Sequence, residues 1–300
     1  METLVTRPSG VSQIGALLAT LWRRGRERLA PHAMLTAAAG SDVGIIRSNN
    51  EDYLLVADLA RPGLAFGGTD DLGALSATRA LLVVADGMGG AAGGEIASAM
   101  AADLIGSYVA DALRGRRLRT SAQVRQALVE AFEAANRRIR HGAERDAGLR
   151  GMGTTATAAT VLGHSLHVAH VGDSRAYLVR DGLAQRLTKD HSVLQYLIDT
   201  GTADAMAVAG QQRNALLRSL GGQDEILVDT CQVPLQYGDT VVLCTDGLWS
   251  VIDDAELAGL VAAEPRLRTL CTTLLSLANE RGGRDNVTVV VARSGAGPCV

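Results

Sequence analysis

Aromatic side chains are scarce in this chain of 300 residues: two Phe, two Trp and five Tyr make up 3% of it. With so few, and with no alternation of basic and aromatic residues, there is no platform on which nucleic-acid bases would stack. An excess of positive charge is missing too. The 29 Lys and Arg against 32 Asp and Glu leave a formal net charge of -3, which gives no global attraction to a polyanion. Basic clusters at 23–28 and 114–119 are local and read as solvated helix ends. Cysteines are few and scattered (Cys231, Cys244, Cys271 and Cys299), with no C-x-x-C pair. That argues against a structural zinc site or a disulfide framework and fits a reducing cytosol. The six prolines form no Pro-rich linker, and no run of eighteen apolar residues is long enough to span a membrane.

What is present suits a folded domain. Apolar residues make up 47% and charged ones 20%, enough for a sizeable core. We expect residues 1–33 to be an appendage and 34–296 one domain. The appendage holds an apolar stretch at 14–22 followed by Arg23, Arg24, Arg26 and Arg28. Charges after the apolar part are the wrong order for a secretory signal; a loosely ordered extension or an amphipathic docking helix fits. Apolar and β-branched runs at 53–57, 81–85, 156–161, 166–171, 176–179, 240–244 and 287–292 predict strands. Between the early and middle strands, Ile96, Met100, Leu104 and Tyr108 recur every four residues. Val124, Leu128, Phe132, Ala135 and Ile139 form a second stripe, and 266–279 a third helical stretch. Strands come in clusters rather than alternating with helices, so antiparallel sheets covered by helices, an α+β layered sandwich, are expected.

The acids fall at strand ends. Asp86 ends L-L-V-V-A and precedes G-M-G-G, and Asp246 ends V-V-L-C-T. Asp173 follows V-A-H-V-G, Asp285 shortly precedes V-T-V-V-V, and Glu51 and Asp52 precede Y-L-L-V. One acid at a strand rim is ordinarily a turn or a cap. Five such positions are harder to explain that way, because two buried carboxylates about 5 Å apart repel by roughly 3 kcal/mol at an effective dielectric near 20. Such a cluster must be protonated or neutralised by cations, and oxygen-only ligands favour hard ions such as Mg²⁺ or Mn²⁺. Gly87 is expected to let the backbone turn sharply so that its carbonyl faces a metal, with Gly89 and Gly90 leaving room for a phosphate.

Eight ordered blocks then resemble the metal-dependent Ser/Thr protein phosphatases of type 2C, bacterial members in particular. They are S-D-V-G-I-I-R-S-N-N-E-D (41–52), V-A-D-G-M-G-G (84–90), G-M-G-T-T-A (151–156), H-V-G-D-S-R-A-Y (170–177), L-T-K-D-H-S (187–192), R-N-A-L-L-R-S-L-G (213–221), C-T-D-G-L-W (244–249) and R-D-N-V-T (284–288). The resemblance implies a four-layer αββα sandwich with metals at one edge. It makes Asp86 the bridge between two Mn²⁺ or Mg²⁺ ions and gives the first ion Asp246 and Asp285. The second ion takes the Gly87 carbonyl and the Glu51–Asp52 pair, one acid directly and the other through water. Asp173 resembles a ligand, shared with Asp246, of a weaker third ion, and Arg47 a clamp on the substrate phosphate. The implied reaction is attack of a metal-bridging hydroxide on phosphoserine or phosphothreonine, without a phosphoenzyme.

One position departs from the pattern. Many eukaryotic relatives carry a histidine where this chain has Met88, which donates no proton. His191 is a conceivable replacement, although D-H-S suits loop ordering better. His167 should point away from His164 and His170, which weakens a zinc reading. Arg175 is expected to pair with a nearby acid. Residues 193–212, rich in small side chains in their second half, should form a mobile flap that touches the substrate. The expected partners are phosphorylated proteins, a Ser/Thr kinase and its targets among them, met by a cytoplasmic monomer. The rival readings are a phosphoprotein-binding regulatory module with weak or no catalysis, a regulatory switch docked through the N-terminal segment, and a metal-dependent nuclease.

Overall fold

The computed structural model describes residues 33–296, apart from 62, 64, 69–73, 78, 90–92, 115–119 and 213. The apolar stretch expected at 14–22, the basic cluster at 23–28, most of that at 114–119, Gly90, Arg213 and Cys299 lie outside the described residues. In chain order the elements are strands β1 (Ala33–Asp42), β2 (Asp52–Asp58), β3 (Ala65–Gly68), β4 (Ala74–Ala77) and β5 (Ala80–Met88), then helices α1 (Gly93–Arg114) and α2 (Ser121–Arg145). Strands β6 (Gly153–Thr154), β7 (Ala156–Leu162), β8 (Ser165–Val171), β9 (Arg175–Arg180) and β10 (Leu183–Arg186) follow, with short helices α3 (Val193–Asp199) and α4 (Ala205–Ala209) after them. The chain continues through β11 (Asp229–Pro234), β12 (Thr240–Cys244), α5 (Asp246–Trp249), α6 (Asp254–Ala263), α7 (Leu267–Glu280) and β13 (Val287–Ala296).

Both faces of the central strands are apolar, and this sets the layering. In β5, Leu82 and Val84 face a core shared with Leu54, Val168, Leu178, Leu243 and Val290, while Leu81 and Val83 face Ile105, Leu128 and Phe132 of α1 and α2. On the other sheet, Val242, Val289 and Val291 pack against Leu257, Leu270 and Leu274 of α6 and α7. The result is helices, sheet, sheet, helices. One sheet runs β10-β9-β12-β13-β1-β4 and the other β11-β8-β7-β5-β2-β3 with β6 beside β5, every pairing antiparallel. Each of the seven strand runs read from the sequence falls in a strand, and the third helical stretch is α7.

Two differences are informative. β1, an alanine-rich segment (A-M-L-T-A-A-A-G-S-D) with no β-branched run, is a central strand held along ten register pairs to β13. Tertiary pairing there overrides weak local propensity. In α1 the expected stripe lies to one side of the buried face: Ile96 and Tyr108 are exposed, Met100 and Leu104 are partly buried against the core, and the fully buried side is Ala97, Ala101, Ala102, Ile105 and Val109. Small residues let α1 lie close on the sheet; a Cβ at Gly106 would come within 2.5 Å of the Leu55 side chain. The α2 stripe from Val124 to Ile139 is buried as expected, under a Thr120–Gln123 capping box. Among the described residues, no helix is long and apolar enough to cross a membrane, and Cys231, Cys244 and Cys271 are free thiols.

Candidate active site

Strand ends from both sheets meet at one rim of the sandwich, and the acids collect there. A cleft of about 570 Å³ is lined by Arg47, Glu51, Asp86, Gly87, Asp173, Asp246 and Asp285, together with Met88, Asn214 and Asn286. Asp52 is adjacent but does not line it. On β2 every second residue from Asp52 is buried, so Asp52 points inward between the sheets while Glu51 faces the cleft. Asp52 stands opposite Asp86 in the β2–β5 register. It accepts a hydrogen bond from Thr245 Oγ1 at 2.8 Å and another from Thr288.

Backbone interactions fix the acids. Thr155 N–H and Thr154 Oγ1 donate to the Asp86 carbonyl at 2.9 and 2.8 Å, and Thr155 Oγ1 accepts from Asp86 N–H at 3.0 Å. Gly87 lies within β5 rather than in a turn. It must be glycine because a Cβ there would sit 2.6 Å from the Glu51 carbonyl, and one on Gly94 would sit 2.8 Å from the Glu51 carboxyl carbon. The reversal comes at Gly89, with φ of 125°. The Trp249 indole donates to the Asp173 carbonyl at 3.0 Å, and Arg175 stacks over that ring at 3.7 Å. Arg175 also grips Asp190 through two hydrogen bonds, of 3.0 and 2.6 Å, so it serves the loop and not the cleft.

Burial and mutual repulsion dominate the electrostatics. Asp86 is pushed well above the carboxylate range, first by burial and then by Asp52, Asp246, Asp173 and Asp285. Burial, with Asp246 and Asp190, raises Asp173 to about 8, and burial with Asp285 raises Asp246 to about 6. Burial brings Asp52 to about 7 against the pull of its two threonine hydroxyls, and Glu51 is raised by burial as well. Asp246 Oδ1 is enclosed with no hydrogen-bond partner among the described residues. Acids that resist ionisation together and an unpartnered carboxylate oxygen are the donor set a hard divalent cation stabilises, so the residues fit such ions. Among the described residues, no three of these groups stand in a finished ligand arrangement.

Two further side chains bear on the site. Arg47 Nη2 donates to Asp285 Oδ2 at 2.8 Å, while the side chain is half exposed at the cleft. His191 is not in the cleft: its Nδ1 accepts from Gly172 N–H at 3.1 Å, and its Nε2 faces Asp229 at 3.3 Å. Both nitrogens are engaged, so it orders the segment carrying Asp173. His167 and His170 lie at positions of opposite parity on β8 and therefore on opposite faces.

Sequence reasoning missed Asn286. Its Oδ1 accepts from Glu51 N–H at 2.8 Å, and its amide donates to the Val43 and Asn49 carbonyls, each at 2.9 Å. It clasps the segment bearing Arg47 and Glu51 to the one bearing Asp285. The only signal was its place after Asp285 in R-D-N-V-T, where an Asn at a strand start reads as a turn.

A cleft of buried acids beside one arginine, at the rim of an αββα sandwich, defines a hydrolase built to handle a phosphoryl group. The protein phosphatase 2C family model matches residues 69–289, and the chain belongs to that family. It is 34% identical over 252 residues to the serine/threonine phosphatase stp of Listeria innocua, covering 84% of this chain and 92% of that one. The S. agalactiae serine/threonine phosphatase superposes with a TM-score of 0.75 at 30% identity, covering 86% of this chain and 99% of that one. The catalytic domain of PstP in complex with two manganese ions superposes at 0.70 with 33% identity, over 88% and 99% of the two chains. The chain is a serine/threonine protein phosphatase, a hydrolase of phosphoric monoesters.

Proposed function

We propose that this phosphatase removes phosphate from serine and threonine side chains of proteins with two core Mn²⁺ or Mg²⁺ ions held by its cleft. The single observation that carries this is the ring of burial-raised acids opening beside Arg47. Asp86 would be shared by the two ions, Asp246 and Asp285 would hold the first, and Glu51 and the Gly87 carbonyl the second. Asp52, buried behind Glu51, acts through water or by holding Thr245 beside Asp246. Asp173, raised by burial and by the nearby Asp246, would share a weaker third ion with it. When bound, such ions activate water as a nucleophile and offset charge on the phosphoryl oxygens.

The chain's own residues do the rest. Arg47 spends one N–H on Asp285 and presents its remaining donors to the phosphate, a guanidinium fork suited to two phosphoryl oxygens. Asn286 keeps Arg47 and Asp285 on facing segments. Met88 offers no proton and His191 is occupied elsewhere, so the leaving serine or threonine oxygen takes its proton from water. Residues 193–212 lie between Ser192 and Leu216, which bridge to one another with Leu216 on the cleft wall, and present Tyr196, Ile198, Met206 and Val208 to solvent for the protein substrate. The partners are phosphorylated proteins of the cytoplasm, a Ser/Thr kinase and its targets, met by a monomer. Failure of an Asp246→Ala trap to recover any kinase or phosphoprotein would count against that.

A phosphothreonine peptide assay with a metal titration tests the reading. Turnover should require added Mn²⁺ or Mg²⁺, vanish with EDTA and fall severely in Asp86→Ala. Metal-independent turnover would overturn it, and peptide binding without turnover would favour a regulatory binding module.

A further inference from the structure

A second cavity, of about 300 Å³, lies away from the cleft on the outer face of the β11-β8-β7-β5-β2-β3 sheet, beneath the start of α2. Ser121, Ala122 and Arg125 of α2 form one side of it, and His167, Thr230 and Gln232 of the paired strands β8 and β11 the other. None of its lining residues is acidic. On β8, Leu166 and Val168 face the core between the sheets and Ala169 faces the helices, so His167 faces α2. It is 2% exposed, and its Nε2 is enclosed without a hydrogen-bond partner among the described residues. A buried polar nitrogen left unpaired is costly, and such groups are rare in a settled core.

The helix end above it is equally unfinished. Thr120 Oγ1 caps the Gln123 N–H at 3.3 Å, but the N–H groups of Ser121 and Ala122 have no partner among the described residues. The first turn carries no acidic residue to meet the positive end of the 25-residue helix. Arg125, one turn in, is exposed and forms no ion pair among the described residues. The first turn of α2 with its free N–H groups, Arg125, and the buried His167 with its unpartnered nitrogen thus border one cavity.

We propose that this cavity binds a phosphate oxyanion, free or as the phosphate group of a small metabolite, independently of the catalytic cleft. Phosphoryl oxygens accept from the Ser121 and Ala122 N–H groups, Arg125 offsets the charge, and the imidazole donates through the Nε2–H tautomer. Burial keeps His167 neutral at physiological pH, with its pKa pushed down to about 4, so it serves as a donor rather than a second fixed charge.

The test is an amide and imidazole NMR titration of the full chain with inorganic phosphate, and separately with methylphosphonate as a phosphate ester mimic that is not hydrolysed. Ser121, Ala122 and His167 signals should shift saturably with at least one of them, and not with chloride at equal ionic strength. The tighter of the two probes identifies free phosphate or a phosphate ester as the natural source. Arg125→Ala, an exposed change, should weaken this binding at least tenfold and Arg125→Lys by less, while cleft signals such as Asn49 and Gly87 titrate as before. His167→Gln should keep part of the affinity. Shifts no larger than those with chloride, or unchanged affinity in Arg125→Ala, would overturn the proposal.

Discussion

Of the adjacent acids Glu51 and Asp52, only Glu51 reaches the cleft; Asp52 is turned between the sheets onto Thr245 and Thr288. No spacing rule distinguishes the two, because the choice depends on strand parity and on which face of β2 meets the other sheet. The same limit hid Asn286, whose role is visible only once segments 235 residues apart lie side by side. Two predictions belong to single residues. Asn286→Ala leaves one N–H and two carbonyls without their partner, so it should cost roughly 1–3 kcal/mol. A urea midpoint that falls without a change of slope would show it. Its catalytic loss should exceed what that destabilisation explains, because Arg47 and Glu51 are set free together; full kcat/KM at a temperature where the variant stays folded would refute the clasp. Asp173→Ala should keep two bound ions by calorimetry and lose rate. Unchanged rate at equal metal occupancy would remove the role given to Asp173.

Elements were legible wherever hydrophobic pattern and propensity agree. Val-rich β5, β12 and β13 and the Val124–Ile139 stripe of α2 are plain in the sequence. β1 and the buried face of α1 are not, because alanine marks neither a strand nor a helix face, and only close approach to the sheet makes those alanines core. The acids were legible as a group because each ends such a strand, and their convergence follows once all the strands end at one rim. Element packing also sets an acid limit on stability. His170 on β8 is fully enclosed, its Nδ1 at 2.8 Å from Thr157 Oγ1 and its Nε2 at 3.2 Å from the Lys189 carbonyl. Burial, with the neighbouring His191, lowers its pKa to about 3, against 6.5 when unperturbed. Between these values the unfolded chain binds the proton and the folded one does not. Its contribution is therefore present above about 6.5 and is lost as pH falls toward 3. The raised site acids act in the opposite sense in metal-free protein, since they bind protons more readily folded than unfolded. The His170 effect is therefore read as a difference between thermal melts: the midpoint of the parent relative to that of His170→Gln should fall over that window. A difference between the two proteins that does not change with pH would place the effect elsewhere.

At the scale of the whole molecule, the two sheets bring together acids from five separate parts of the chain, and the rim is where that arrangement is least self-sufficient. Burial drives Asp86 and Asp246 toward protonation, and Asp246 Oδ1 has no hydrogen-bond partner among the described residues, so the fold keeps charge there at a cost to its own stability. Whatever neutralises the cluster in the folded state must then also stabilise the whole sandwich, since the unfolded chain scatters the same acids and holds no ion well. A divalent ion at 100 times its Kd would add about 2.7 kcal/mol by mass action, enough to raise Tm by several degrees in a domain of this size. Melts of the EDTA-treated protein should therefore rise with added Mn²⁺ and level off as the sites fill. Asp246→Asn removes a charge that both core and third-ion proposals use, so its metal-dependent rise should be much smaller, while its metal-free Tm equals or exceeds that of the parent because one buried repulsion is gone. Arg47→Ala separates clamp from ligand: it should keep the full metal-dependent rise and lose activity. A Tm indifferent to Mn²⁺ in the parent protein would mean that the carboxyl cluster is settled by protons alone, and the proposed metal centre would fail with it.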